Sequence, residues 1–154
     1  SVAHAQDGLS GTWQLASTNA EAARRRTAID TSVEELPSMM QSRARSRLRT
    51  ITRPASRIQI EQSGDTIELT ASGRTISLTV GGAAVRVQGE RGQGEVRAVR
   101  EQGHLNISFQ GDNGSRSTTY RLSEDGQNLV LEVQLSGRRL RTPVRYRVTY
   151  QRAS

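Results

Sequence analysis

Apolar and polar residues alternate in short runs along most of the chain, from Ser56 to Tyr150. Turn pairs such as Ser63-Gly64, Gln102-Gly103 and Asp125-Gly126 separate these runs at intervals of about nine to twelve residues, the spacing of successive antiparallel strands. Glycine in such pairs supplies the positive φ angle that a tight hairpin needs. Each run has one apolar and one polar face, as strands do where one side of a sheet is buried. The pattern therefore predicts an antiparallel β-meander.

A first strand at Gly11–Leu15 brings the meander to about ten strands, near the number at which an open twisted sheet closes or splits. Closure into an up-and-down barrel removes the free edges of the sheet. We therefore predict a mainly β fold, an antiparallel up-and-down barrel, with a two-sheet β-sandwich as the alternative. One Trp, one Phe and three Tyr are too few for the two aromatic girdles of a membrane barrel, so the apolar face is expected to point inward.

Between the first two strands, residues 19–51 contain no glycine and are rich in Ala, Glu, Arg and Met, which favours helix. Asn19 is the predicted N-cap of a first helix. Ser32 and Glu35 form a capping-box pattern for a second helix, which Pro37 either starts or kinks. We expect the two helices to cover the barrel as a lid. The apolar stripe expected on the second helix consists of Val33, Leu36, Met40, Ala44, Leu48 and Ile51.

The length of 154 residues fits one domain, predicted over residues 9–154. Residues 1–8 are interpreted as the remnant of a secretory signal peptide or as a disordered N-terminus, because Ala3-His4-Ala5 has the small-x-small form of a cleavage site. The chain has no cysteine, which excludes a disulfide framework and a cysteine metal site. Export without cysteine suits a bacterial protein, so a secreted or periplasmic location is expected.

All 22 basic residues are arginine, and the formal net charge is +7. Guanidinium groups suit phosphate and carboxylate partners, whereas codon bias in a GC-rich genome explains the same composition without any function. On the second helix, the face opposite the apolar stripe carries Arg43, Arg45, Arg47 and Arg49. A basic amphipathic helix of this kind can lie on an anionic membrane surface, and the alternative is a face that is simply solvated.

Side chains for catalysis are scarce. A nucleophile with a base needs Ser or Thr near His, and the chain has only His4 and His104. Two histidines are also too few for a histidine metal site, and no acidic spacing resembles a calcium loop. Nucleic-acid binding uses aromatic residues interleaved with basic ones, and aromatics are rare here. The sequence therefore predicts a protein that is not an enzyme, with no metal, cofactor or nucleic-acid partner.

The order of elements and a few short motifs resemble the calycin superfamily. The motifs are Gly11-Thr12-Trp13 on the first strand and the hairpin from Tyr120 to Gly126. Within the superfamily, lipocalin-like proteins of bacterial envelopes and fatty-acid-binding proteins are similar. The resemblance implies a barrel closed at one end by Trp13, packed under a basic side chain of the last strand, Arg147 or Arg152, as a cation–π contact. It also implies binding of an apolar ligand.

The resemblance extends less well to the carboxylate site of fatty-acid-binding proteins, an Arg and a Tyr two residues apart on the last strand. Aligning Tyr150-Gln151-Arg152 with that ending puts Val148 at the arginine position and Arg147 on the opposite face. A bulge that turns Arg145 or Arg147 inward is needed to restore the contact.

The leading interpretation is non-enzymatic binding or transport of a small apolar or amphipathic ligand inside the barrel. In the alternative, aliphatic side chains fill the barrel, and its arginine-rich surface binds an anionic partner such as a membrane surface, an acidic polymer or a protein. The size of the interior cavity separates the two. The residues predicted to line the cavity are Met39, Met40, Phe109, Tyr120, Tyr146 and Tyr150, and the predicted anion contacts are Arg145 and Arg147.

Overall fold

The structure is a computed structural model that describes residues 8–89 and 92–153. The cleavage-site pattern at Ala3-His4-Ala5 lies outside the described residues, so export stays a prediction. Helices α1 (Asn19–Glu34) and α2 (Ser38–Ile51) follow the first strand. The strands are β1 (Gly11–Leu15), β2 (Arg57–Ser63), β3 (Thr66–Ala71), β4 (Arg74–Thr79), β5 (Val85–Gly89), β6 (Gly92–Glu101), β7 (His104–Gly111), β8 (Gly114–Leu122), β9 (Asn128–Gly137) and β10 (Val144–Arg152).

The ten strands form one antiparallel sheet in the order β4-β3-β2-β1-β10-β9-β8-β7-β6-β5. Strands that are neighbours in the sequence pair in the sheet, except β4 and β5, and β1 pairs with β10, with Trp13 opposite Arg152. The result is a nearly closed up-and-down barrel, with both helices between β1 and β2 in the chain. The predicted barrel is therefore confirmed, and the sandwich alternative is not what forms. Neither described helix has the length and apolar character needed to cross a bilayer.

The sheet ends at β4 and β5, and we call the line between these two strands the seam. At one end of the seam, Val80 forms a parallel bridge with Ala98 of β6, and the Gly81 amide donates to the Ala98 carbonyl at 2.8 Å. At the other end, Arg74 Nη1 lies 3.4 Å from the Gln88 carbonyl. The seam is thus held by contacts at its two ends.

Alternation along each strand puts apolar side chains inside the barrel. On β9, for example, every second residue from Leu129 to Leu135 is buried. The interior side chains form a main core, and a second group under the helices forms what we call the lid cluster. Tyr146 packs against both, so the lid is continuous with the barrel interior. The buried members of the lid cluster are Ile29, Val33, Leu48, Leu135 and Val144.

The start of α1 differs from the prediction by one residue. Thr18, not Asn19, is the N-cap, because its hydroxyl accepts a hydrogen bond from the Glu21 amide at 3.1 Å. The predicted cap at Asn19 is therefore wrong, and Asn19 is the first residue of the helix. Glu21, held in this first turn, also binds β10: its carboxylate accepts hydrogen bonds from the Thr149 amide at 3.1 Å and the Thr149 hydroxyl at 2.6 Å.

The predicted capping box is also wrong, because α1 continues to Glu34 and both box residues bind the β9–β10 connection instead. Ser32 is fully buried and donates to the Thr142 carbonyl at 2.8 Å. Glu35 accepts from the Thr142 amide at 3.0 Å. The alternative start at Pro37 is confirmed, since α2 begins directly after it. The expected single stripe is consequently divided between the two helices, with Val33 on α1 and Leu48 on α2 both buried.

One end of the barrel is closed by Trp13, which is 0% exposed and donates its indole N–H to the Leu9 carbonyl at 3.0 Å. The Arg152 guanidinium lies 4.3 Å from the centre of the indole ring, which confirms the predicted cation–π contact with Arg152 as the partner. Gly11 permits this arrangement, since a Cβ there would lie 2.6 Å from Arg152 Nη1. Arg152 also donates hydrogen bonds to the carbonyls of Gly8, Ser10 and Gly126.

Candidate functional site

Strand β8 carries one arginine on its interior side. Alternate residues of a strand lie on the same face, so Arg116 is on the face of β8 that carries Thr118 and Tyr120, which are both buried in the barrel. Its Nη2 donates to the carbonyl of Ile51, the last residue of α2. Its Nε is buried and has no hydrogen-bond partner, and the ion pairs among the described residues do not include Arg116. The barrel therefore holds an interior cation without a carboxylate partner.

A second unsatisfied polar group lies next to this contact along the chain. Thr52, directly after Ile51, is 1% exposed, and its hydroxyl is buried without a partner. A buried polar group that makes no hydrogen bond costs free energy, so such groups mark places where a polar partner is missing. The end of α2 and the facing part of β8 therefore form a junction suited to a polar or anionic group. We call Arg116 and Thr52 the junction site.

The tyrosines predicted to line the interior lie there. Tyr120 and Tyr150 are buried, Tyr146 is half-buried, and the Tyr150 hydroxyl donates to the Ala55 carbonyl at 2.8 Å. Burial raises the pKa of Tyr120 to about 12, although the nearby Arg116 charge acts in the opposite direction. Burial, and then the neighbouring Tyr120 and Tyr146 phenols, raise the pKa of Tyr150 well above its usual value. Tyr120 and Tyr150 are therefore neutral near pH 7.

Phe109 also lies inside, half-buried against the main core. Its ring lies over Gly94 and Gly111, where added Cβ atoms would come within 2.4 and 3.0 Å of ring carbons. The two methionines differ from each other. Met40 is half-buried, whereas Met39 is 94% exposed at the first turn of α2 and does not face the interior. The structure thus separates Met39 from the other residues predicted to line a cavity.

The two predicted anion contacts on β10 point outward. The pairing of β10 with β9 is continuous from Val144 to Gln151, so no bulge turns either arginine inward. Arg145 donates to the Gln134 side chain at 3.1 Å on the outer face. Arg147 is 60% exposed and lies 3.9 Å from the Glu132 carboxylate. Neither residue reaches the interior, and Arg116, which sequence reasoning missed, is the arginine that does.

The apolar wall of the barrel is incompletely covered on one side. Several inward residues of β4 to β7 remain partly exposed: Ile76, Val85, Val87, Ile107 and Phe109. Two cavities are described elsewhere, one of about 590 Å³ beside β1, β2 and β3 and one of about 410 Å³ beside the β6–β7 hairpin. None of the six predicted ligand residues lines either of them. The partly exposed apolar wall is therefore a part of the interior that solvent reaches.

No protein-family model matches the sequence, and no curated protein matches it. Solved structures do match over nearly the whole chain. An SAHS (abundant heat soluble) protein from Ramazzottius varieornatus is 13% identical, with 96% of each chain covered and a TM-score of 0.61. The chain has the calycin barrel fold. Two other calycin barrels are similar: lipid binding protein 8 of Caenorhabditis elegans (15% identity, 95% and 96% covered, TM-score 0.56) and a brain fatty acid-binding protein of Drosophila melanogaster (16%, 91% and 95%, 0.51).

Proposed function

We propose that this calycin barrel binds an amphipathic small molecule with an anionic head group, and that it acts without catalysis. The head group binds at the junction site, and the apolar part lies along the partly exposed inner wall. The names of two neighbours, a lipid binding protein and a fatty acid-binding protein, support a ligand of this class. A fatty carboxylate is the simplest molecule with both parts.

The observation that carries the proposal is the interior Arg116. Arg116 is half-buried, and its Nε is fully buried without an acceptor. A buried charged donor costs free energy unless an acceptor or a counter-ion compensates it. A guanidinium binds a carboxylate through two parallel N–H donors, which makes arginine well suited to this head group.

The inner wall supports the second half of the proposal. Apolar side chains that face inward yet remain partly exposed, such as Val87 and Ile107, gain from contact with an alkyl chain. The phenols of Tyr120 and Tyr150 stay neutral near pH 7, so they add no negative charge that would repel an anion. The interior therefore combines an apolar wall with the Arg116 guanidinium at its lid end.

The test compares two ligands of equal chain length, dodecanoate and 1-dodecanol, as competitors of a bound fluorescent fatty acid. In Arg116→Gln, dodecanoate is expected to bind about tenfold or more weakly, because a charge-assisted pair is lost, while the alcohol binds as before. Arg121→Gln is the matched control, since Arg121 is on the same strand but exposed and paired with Glu132. If the fluorescent probe does not bind, or if both ligands weaken equally, the proposal is wrong.

A second candidate function rests on the outer face of α2. This helix carries four arginines and no acidic residue, and Met39 projects from its first turn with 94% of its surface exposed. Arg45 is held by Asp30 at 2.9 Å, so the other three, Arg43, Arg47 and Arg49, are the exposed cations. We propose that this face binds the surface of an anionic bilayer, with Met39 inserting among the lipid head groups.

Co-sedimentation with vesicles tests the second candidate. Binding to phosphatidylglycerol vesicles is expected to fall steeply between roughly 50 and 500 mM salt, because the shorter Debye length screens the attraction between arginine and lipid. Phosphatidylcholine vesicles, which carry no net charge, should bind little protein. Replacing Arg43, Arg47 and Arg49 by Gln should abolish binding, and Met39→Ser should weaken it. Replacing Arg121, Arg145 and Arg147 on the outer faces of β8 and β10 by Gln removes the same number of charges and is the control for total charge. Equal loss in the control, or binding that ignores salt, contradicts the candidate.

A further inference from the structure

The two lid helices are attached to the barrel in different ways. Helix α1 has three attachments to β10 and to the connection before it: Glu21 binds Thr149, and both Ser32 and Glu35 bind Thr142. These bonds lie at both ends of the helix. Residues from α1 also fill the lid cluster against β9 and β10. Helix α1 is therefore a fixed part of the barrel wall.

Helix α2 is attached mainly to α1. Leu48 packs in the lid cluster, Arg45 pairs with Asp30, and Gln41 donates to the Leu36 carbonyl at 3.0 Å. Arg116 donates to the Ile51 carbonyl, and this hydrogen bond joins the end of α2 to strand β8. The C-terminal end of α2 is thus held to β8 by the same guanidinium that we propose as the anchor of the ligand. Arg25 of α1 makes a longer contact with the Thr52 carbonyl, at 3.4 Å, so release from β8 leaves this end of α2 tied to α1 alone.

A carboxylate and the Ile51 carbonyl compete for this guanidinium. A side-on carboxylate binds the Nε and Nη2 hydrogens together, as the planar fork of arginine favours. Nε is without a partner, but Nη2 is the nitrogen that holds Ile51. Nη2 has two hydrogens, and a side-on carboxylate uses one of them. Because Nε is buried, the anion reaches it only when the guanidinium turns, and this turn moves Nη2 away from the Ile51 carbonyl. A carboxylate is the stronger acceptor because it is charged, whereas a peptide carbonyl is not.

We propose that Arg116 is a latch that couples ligand binding to the position of α2. Without ligand, Arg116 holds the C-terminal end of α2 on the barrel through Ile51. When an anionic head group enters the junction site, Arg116 turns to the anion and the end of α2 is released, while α1 stays in place. The proposal rests on the proposed function, because it needs an anion at Arg116.

Hydrogen exchange measured by mass spectrometry tests the latch in three arms. Dodecanoate added to the native protein should speed exchange in the last turns of α2, residues 47–52, by about tenfold, the effect of losing one hydrogen bond of this kind. 1-Dodecanol should leave the exchange rate unchanged, because it carries no anion. Arg116→Gln should show the faster exchange without any ligand, and dodecanoate should not increase it further. Exchange in α1 is the internal reference in every arm.

The outcomes separate the latch from the binding function. If dodecanoate displaces the fluorescent fatty acid but exchange in residues 47–52 stays the same or slows, the latch is wrong and the binding function stands. If dodecanoate does not bind, both are wrong. If Arg116→Gln speeds α1 and α2 equally, the variant has loosened the whole fold. In that case the test is the comparison of dodecanoate with 1-dodecanol on the native protein. The latch is supported if α2 exchanges faster with dodecanoate and not with 1-dodecanol, and any other result overturns it.

Discussion

At the residue scale, the two ends of the barrel use arginine in opposite ways. Arg152 is fully satisfied: it stacks on Trp13 and donates to three carbonyls. Arg116 is left with a free Nε. Arg152 therefore stabilises the fold, whereas Arg116 keeps a buried N–H donor that has no acceptor. This difference distinguishes Arg152 from Arg116, the proposed ligand anchor, in a chain where all 22 basic residues are arginine.

Arg152→Ala is expected to lower the free energy of unfolding by about 2–4 kcal/mol, because it removes the cation–π contact and the hydrogen bonds of a charged donor. Urea denaturation measures the change. Arg147→Ala, five residues earlier on the same strand, is the control: an exposed ion pair contributes little, so its change should stay within about 0.5 kcal/mol. Equal effects of the two substitutions would contradict the role given to Arg152.

The buried phenols predict how stability depends on alkaline pH. An unfolded tyrosine loses its proton near pH 10, whereas folded Tyr120 keeps it to about pH 12. Between these values the unfolded state binds fewer protons, so stability falls as pH rises through this window. Tyr120→Phe should reduce the slope of unfolding free energy against pH between 10 and 12. An unchanged slope, with phenolate absorbance appearing at pH 10 for every tyrosine, would show that the phenols are not protected.

The sequence predicted the interior tyrosines and Phe109, because strict alternation fixes which face a strand residue occupies. Arg116 obeys the same alternation, two positions before Thr118, and that phase is the signal by which it could have been found. It was missed because interior arginines were sought on the last strand alone, at Arg145, Arg147 and Arg152. What alternation cannot show is the partner of an interior group. The contact with Ile51 joins residues 65 positions apart and exists only in the folded chain.

At the scale of elements, all ten strands and both helices were predictable, and the errors lie at helix ends. Caps depend on the local backbone and on one or two hydrogen bonds, so neighbouring polar residues compete for the role. Ser32 and Glu35 have the pattern of a capping box but bind Thr142 instead, since a tertiary partner satisfies them where the helix continues. The local capping-box pattern is thus overridden by tertiary contacts with a residue more than 100 positions away in the sequence.

The capping assignment gives a prediction with its own control. Thr18→Ala should destabilise the protein by about 1 kcal/mol, because the Glu21 amide loses its acceptor and Glu21 is no longer held toward Thr149. Asn19→Ala should change stability by less than about 0.5 kcal/mol, since Asn19 is already inside the helix. Urea denaturation of both variants decides between them. A larger effect at Asn19 would restore the cap that the sequence suggested.

At the scale of the whole molecule, local stability should be lowest beside the seam. Strand β9 has a bonded neighbour on each side, whereas β4 and β5 each have one strand neighbour and end the sheet. Amides with fewer bonded neighbours open more readily. Native-state hydrogen exchange should therefore show β4 and β5 exchanging before β8, β9 and β10. Uniform protection around the ring would mean that the seam is closed in solution.

The number of strands, the closure of β1 on β10 and the inward apolar face all followed from the spacing of turns and from alternation. The place of the seam did not. It depends on the short connection between β4 and β5, where Val80 turns to bridge Ala98 of β6 rather than continuing along β5. The position of the seam is determined by the twist and closure of the complete sheet, and these cannot be predicted from the residues of any one segment.

The interrupted ring also bears on what the protein is able to hold. A fully closed β-barrel has a fixed circumference, because widening it breaks all the backbone hydrogen bonds between two neighbouring strands at once. In this barrel the edge strands β4 and β5 meet at the seam, which is held by contacts near Arg74 and near Val80. Separating them at the Arg74 side breaks one long hydrogen bond, together with packing between the apolar side chains of β4 and β5. For the proposed ligand class, we therefore expect that the barrel widens at the seam and accepts molecules of different size without unfolding.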